Sequence, residues 1–76
     1  MKFVRHETKG FFLFPKSDLV WHSAVGRFLG NSKILSAGFV SFGSDGPACY
    51  GASESLGIGS REDDTESLRR EMGLVV

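Results

Sequence analysis

Four large apolar side chains follow one another without interruption at Phe11-Phe12-Leu13-Phe14, and Pro15 closes the run. A strand with one wet face alternates apolar and polar residues. A run without alternation fits a strand covered on both faces, or one twisting between core and edge. Pro15 lacks an N–H and ends the ladder. Phe3-Val4-Arg5-His6 precedes the run, and Glu7-Thr8-Lys9-Gly10 lies between. Two aromatic and β-branched runs around a polar turn predict a hairpin, with Gly10 free to take positive φ.

The apolar period then changes. Trp21, Ala24, Val25 and Phe28 fall at i, i+3, i+4 and i+7, with Leu29 extending the stripe. This spacing predicts a helix over Asp18–Leu29 that packs Trp21, Val25 and Phe28 on the sheet. Ser17 or Asp18 is placed to cap its start, and Gly30-Asn31 to stop it. Ile34 to Phe42 reads as the central strand. Its two alternating sets are each partly apolar, and Gly38 sits where the pattern switches, as a bulge or a close backbone contact would require. Gly43 to Pro47 is turn chemistry, and Ala48 to Ser53 returns as a strand. Glu54 to Gly59 reads as a loop anchored by Leu56 and Ile58. Ser60 and Asp63 approximate a capping box for a second helix, with acids in its first turn and Arg69-Arg70 in its last. Leu68 and Met72 are its strong apolar anchors, and Gly73 ends it.

The expected order is β-β-α-β-β-α. It predicts an α+β domain over residues 1–76: a small antiparallel sheet of three or four strands with two helices packed mainly on one face. A chain of 76 residues buries only about 60% of its unfolded surface, so every large side chain matters. Seven Phe, one Trp and one Tyr supply that core without disulfides. Cys49 is the only cysteine, which matches a reducing, cytoplasmic setting. Charge appears too early at the N-terminus for a secretory signal, and no apolar run approaches the ~20 residues of a membrane span.

Nothing in the pattern builds a catalytic or cofactor site. Gly57 and Gly59 begin a G-x-G, but Glu62 breaks the dinucleotide fingerprint, and no phosphate-binding P-loop exists. His6, His22 and Cys49 stand apart, without the spacing of metal ligands. Asp18 and His22 would face each other at i,i+4 on the first helix, where surface stabilisation outweighs a catalytic or metal pair. Cys49, in a strand beside Ala48 and Tyr50, reads as a small buried hydrophobe rather than a nucleophile. The chain is therefore expected to be no enzyme and to need no cofactor or metal.

The formal charge is zero but uneven. Residues 1–33 hold six cations against two anions, a net +4, and residues 34–76 hold three against seven, a net −4. The bland account is that folding interleaves the halves. The sharper one is that two faces meet two kinds of partner. Lys2, Arg5, Lys9, Lys16, Arg27 and Lys33 lie among Phe11, Phe12, Phe14 and Trp21, a mixture that single-stranded nucleic acid binding uses.

The stretch Ile34-Leu35-Ser36-Ala37-Gly38-Phe39-Val40, with Cys49-Tyr50-Gly51 and Ser53-Glu54-Ser55-Leu56-Gly57, resembles a group of small uncharacterised proteins of proteobacteria and their prophages. That resemblance implies a mobile-element context. There, small domains without catalytic residues bind and block host proteins, as anti-CRISPR proteins do. On this expectation the chain is a non-catalytic protein-binding module directed at a host complex. Glu62, Asp63, Asp64 and Glu66 would form the docking surface. A nucleic-acid-binding accessory or regulator using the basic half is the alternative.

Overall fold

The computed structural model describes residues 1–16, 21–30 and 33–74. Among them are six strands and two helices: β1 (Lys2–His6), β2 (Gly10–Phe14), α1 (His22–Leu29), β3 (Ile34–Gly43), β4 (Gly46–Tyr50), β5 (Ala52–Ser53), β6 (Ile58–Gly59) and α2 (Asp64–Glu71). The main sheet has the order β2-β1-β3-β4, and every pairing in it is antiparallel. The α+β fold and its antiparallel sheet match the expectation. The strand expected over Ala48–Ser53 divides instead: β4 ends at Tyr50, and β5 pairs with β6 as a separate small hairpin. The segment read as a loop thus supplies half of a second sheet.

The helices lie on opposite faces, not mainly on one. Val4 packs with Phe14, Ala37 and Leu29 on the α1 face, joined by Val25, Leu56 and Ile58. Phe3, its neighbour in β1, points the other way and packs with Val40 and with Leu68 of α2. A strand sends successive side chains to opposite faces, so β1 feeds both cores. This also accounts for β2. Phe12 and Phe14 join the α1 core, and Phe11 joins the α2 core. A sheet covered twice needs apolar residues at both phases, and that is why the run from Phe11 lacks alternation.

Gly38 marks a close approach. A Cβ there would stand 2.5 Å from the Tyr50 carbonyl oxygen, with no flexible side chain to yield. The register slip falls elsewhere, between Arg5 and His6 of β1. His6 is buried at that irregularity, and its Nδ1 accepts the N–H groups of Thr8 and Lys9 at 3.1 Å each. The β1–β2 turn is therefore closed by a side chain as well as by Gly10, which has φ +84.

Helix α1 is shorter and rotated relative to the expectation. Its buried residues are His22, Gly26 and Leu29, with Val25 packed beside them, whereas Trp21, Ala24 and Phe28 face outward. The expected start at Asp18 and the caps at Ser17 or Asp18 lie outside the described residues, as does the Asp18–His22 pair. Trp21 occupies the N-cap without a side-chain cap bond. The Ser23 N–H is satisfied from far along the chain, by Ser55 Oγ at 3.1 Å. A helix start leaves its first N–H groups open, and here a hydroxyl from the β5–β6 loop takes one.

Candidate functional site

Folding consumes most of the acidic cluster at residues 62–66. Asp64 is 0% exposed. Its carboxylate accepts from Ser36 Oγ at 2.8 Å, from the Arg61 N–H at 2.6 Å and from Arg5 at 3.0 Å. Arg5 also donates to Asp63 at 3.0 Å and to Ser67 Oγ at 3.3 Å, and its guanidinium lies 5.2 Å from the Phe11 ring centre. Burial works against the Arg5 charge, but hydrogen bonds to Asp63 and Asp64 outweigh it and raise its pKa above the ordinary value. Arg5's hydrogen bond in turn holds the Asp63 carboxyl below its usual range. Glu66 pairs with Arg70 one turn along α2. Asp64 is thereby withdrawn from any docking surface, and Asp63 and Glu66 are each paired with an arginine. Glu62 stands exposed.

The expected capping box is not the one that forms. Ser60 Oγ donates to the Gly51 carbonyl, and no side chain caps α2 at Asp63. The reach-back bond is made one residue later, from Asp64 to the Arg61 N–H. Met72, expected as an anchor, is exposed, so α2 is seated by Leu68 and Asp64. Its remaining side chains blunt both sheet edges. Thr65 Oγ1 accepts the Cys49 N–H at 2.9 Å, and Arg69 Nε donates to the Pro47 carbonyl at 3.0 Å, both on β4. On the opposite edge Glu71 accepts the Phe11 N–H at 3.2 Å. Covering edge strands in this way prevents pairing with other chains. These acids and cations serve the fold.

The α1 face is assembled differently. A cleft of about 270 Å³ opens between the start of α1, the main sheet and the small hairpin, lined by Lys2, Trp21, His22, Phe39, Ala52, Glu54 and Ser55. His22 forms its floor. Its Nε2 lies 2.7 Å from the Gly38 carbonyl oxygen, so Nε2 carries the proton and donates. The ring stands edge-on to Phe14 at 5.4 Å and to Phe39 at 5.5 Å. Burial lowers the His22 pKa, opposed by the Gly38 hydrogen bond and aided by the charge of Lys2.

Beyond the cleft, Phe39 pairs across the sheet with Tyr50, their ring centres 5.7 Å apart, and Lys16 Nζ sits 5.2 Å from the Phe39 ring centre. Trp21 is 58% exposed, and Phe28, seven residues on along the same helix face, is 89% exposed. Both are expected in the core from their spacing, and both lie outside it. The correct stripe, His22, Val25, Gly26 and Leu29, has the same spacing shifted by one residue. It was legible only to a reading that admitted a histidine as a core residue.

Part of the charge asymmetry survives folding. Lys2 and Lys16 stay on the α1 face, while Arg5 crosses to the α2 face and neutralises acids there. Burial, followed by the charge of Asp64, pushes the Cys49 thiol up to about 11, which disfavours the thiolate at neutral pH. Among the described residues no three His, Cys, Asp or Glu side chains converge on a metal site, and no helix is long and apolar enough to cross a membrane. No protein-family model matches the sequence, and neither a curated protein nor a solved structure is detectably similar to it.

Proposed function

We propose that this protein is a non-catalytic binding module that docks a protein partner through the outward face of α1. One observation carries the reading: Phe28 and Trp21 present two large aromatic rings on one side of a helix, with only Ala24 between them. Two turns of helix separate them by about 10.5 Å. Covering a large apolar side chain is worth about 1.5–3 kcal/mol, and tryptophan is the residue most enriched among those that dominate interfaces. Arg27 beside them is exposed and supplies a polar rim. A role as an inhibitor of a host complex, carried on a mobile element, fits this reading and the family resemblance in the sequence.

Capture from an extract of the native host tests it. Phe28→Asp should leave the fold intact, changing stability by less than about 0.5 kcal/mol as surface substitutions do, while abolishing capture of the partner. Reversal of Glu62 and Glu66 to Lys should leave capture unchanged. Capture that survives Phe28→Asp and fails on the acidic reversal would return the working face to α2.

A further inference from the structure

The cleft is separate from the outward α1 face, sharing only Trp21 with it, and its chemistry differs. We propose that it takes one base of a single-stranded nucleic acid, with the flanking phosphates held by Lys2 and Lys16. Three features point to that ligand. Two aromatic residues line it, Trp21 and Phe39, and Tyr50 lies outside the lining with its ring against Phe39. Every base has a π-face, so such platforms take bases without regard to sequence. Two ammonium groups flank the rings, Lys2 in the lining and Lys16 over Phe39, and they complement a phosphate backbone. The size is right for one ring system: about 270 Å³ lies below the roughly 300–1,000 Å³ of sites that enclose drug-sized molecules.

The remaining lining residues orient a base rather than a phosphate. Ser55 is tied to the start of α1 by the Ser23 N–H, which fixes one wall. Glu54 repels phosphate and accepts N–H groups from a base edge. Duplex nucleic acid presents no unstacked base to such a cleft, so the preference is for single strands.

A labelled deoxythymidine oligomer of about ten nucleotides is the probe, titrated by fluorescence anisotropy at low ionic strength. Trp21, the only tryptophan, supplies a second signal through its own quenching. The plot of log affinity against log salt should have a slope of about −1.4, the value for two phosphate contacts on a single strand. Lys16→Gln should reduce that slope to about −0.7. Tyr50→Ala should weaken binding about tenfold or more, whereas Phe28→Ala should leave it unchanged. The Lys16→Gln slope decides the matter independently if Tyr50→Ala fails to fold. Absence of binding at low salt would overturn the proposal. So would duplex binding as tight as single-strand binding, or equal binding of polyglutamate, which would mark a site for acidic proteins. Loss of partner capture on Phe28→Asp with oligomer binding retained would separate the two faces.

Discussion

Asp64 is fully buried, and its three hydrogen-bond donors come from three parts of the chain: Arg5 of β1, Ser36 of β3 and the Arg61 backbone ahead of α2. Removing one partner of a buried ion pair leaves the other uncompensated, at a cost of about 3–5 kcal/mol. Asp64→Ala should therefore lower the unfolding free energy by that amount, enough to leave much of a domain this small unfolded. Urea titration reads the loss, and Glu62→Ala should change the midpoint little. His22 carries the pH dependence. Its imidazole is held neutral in the fold, below its ordinary pKa of 6.5. As pH falls through that value the unfolded chain takes up a proton that the folded one does not. Unfolding is then favoured, and the loss continues until the folded pKa is reached. The wild-type urea midpoint should begin to drop as pH falls through 6.5, and His22→Gln should flatten the curve there. Asp63 acts in the same direction further into acid. Its stabilising ionised form is present above its ordinary 3.8 and is lost as pH falls through its lowered folded value.

At the scale of elements, the question is which aromatic rings hold the sheet. Phe3 is wholly buried between β1, β3 and α2, and truncation to Ala should cost about 3–5 kcal/mol. Phe39, at the middle of the strand that the sequence marks as central, borders the cleft and keeps part of its ring in water. Phe39→Ala should cost only about 1–2 kcal/mol. Thermal melts of the two variants rank them, and equal losses would place the core around Phe39 instead. The strands and helices themselves were largely legible, because each of these segments has a strong apolar period and a turn or stop signal beside it. The rotation of α1 was not. Two stripes of equal spacing overlap there, and only the sheet beneath decides that His22 and Leu29 go in while Trp21 and Phe28 stay out. The acidic run at 62–66 misled for a related reason, since four charges in sequence carry no sign that Arg5, some sixty residues away, will take two of them.

For the whole molecule, a single sheet serves two cores. Val25 of α1 and Leu68 of α2 share no contact, because the sheet stands between them. Val25→Ala and Leu68→Val should therefore add within about 0.3–0.5 kcal/mol in a double-mutant cycle, while both unfold in one cooperative transition. A coupling well above that would show the layers to be less independent than their packing. The class of fold, the β1–β2 hairpin, the period of each helix and the missing alternation in β2 are readable from the sequence, because those follow from local sterics and apolar spacing; the β5–β6 hairpin is not. Tertiary packing is what sends the helices to opposite faces, makes Asp64 a core residue and brings Lys2, Trp21 and Phe39 to one cleft, with Tyr50 and Lys16 against the Phe39 ring. Those outcomes depend on which distant groups meet, and burial free energy and charge pairing are settled only once the chain has closed on itself.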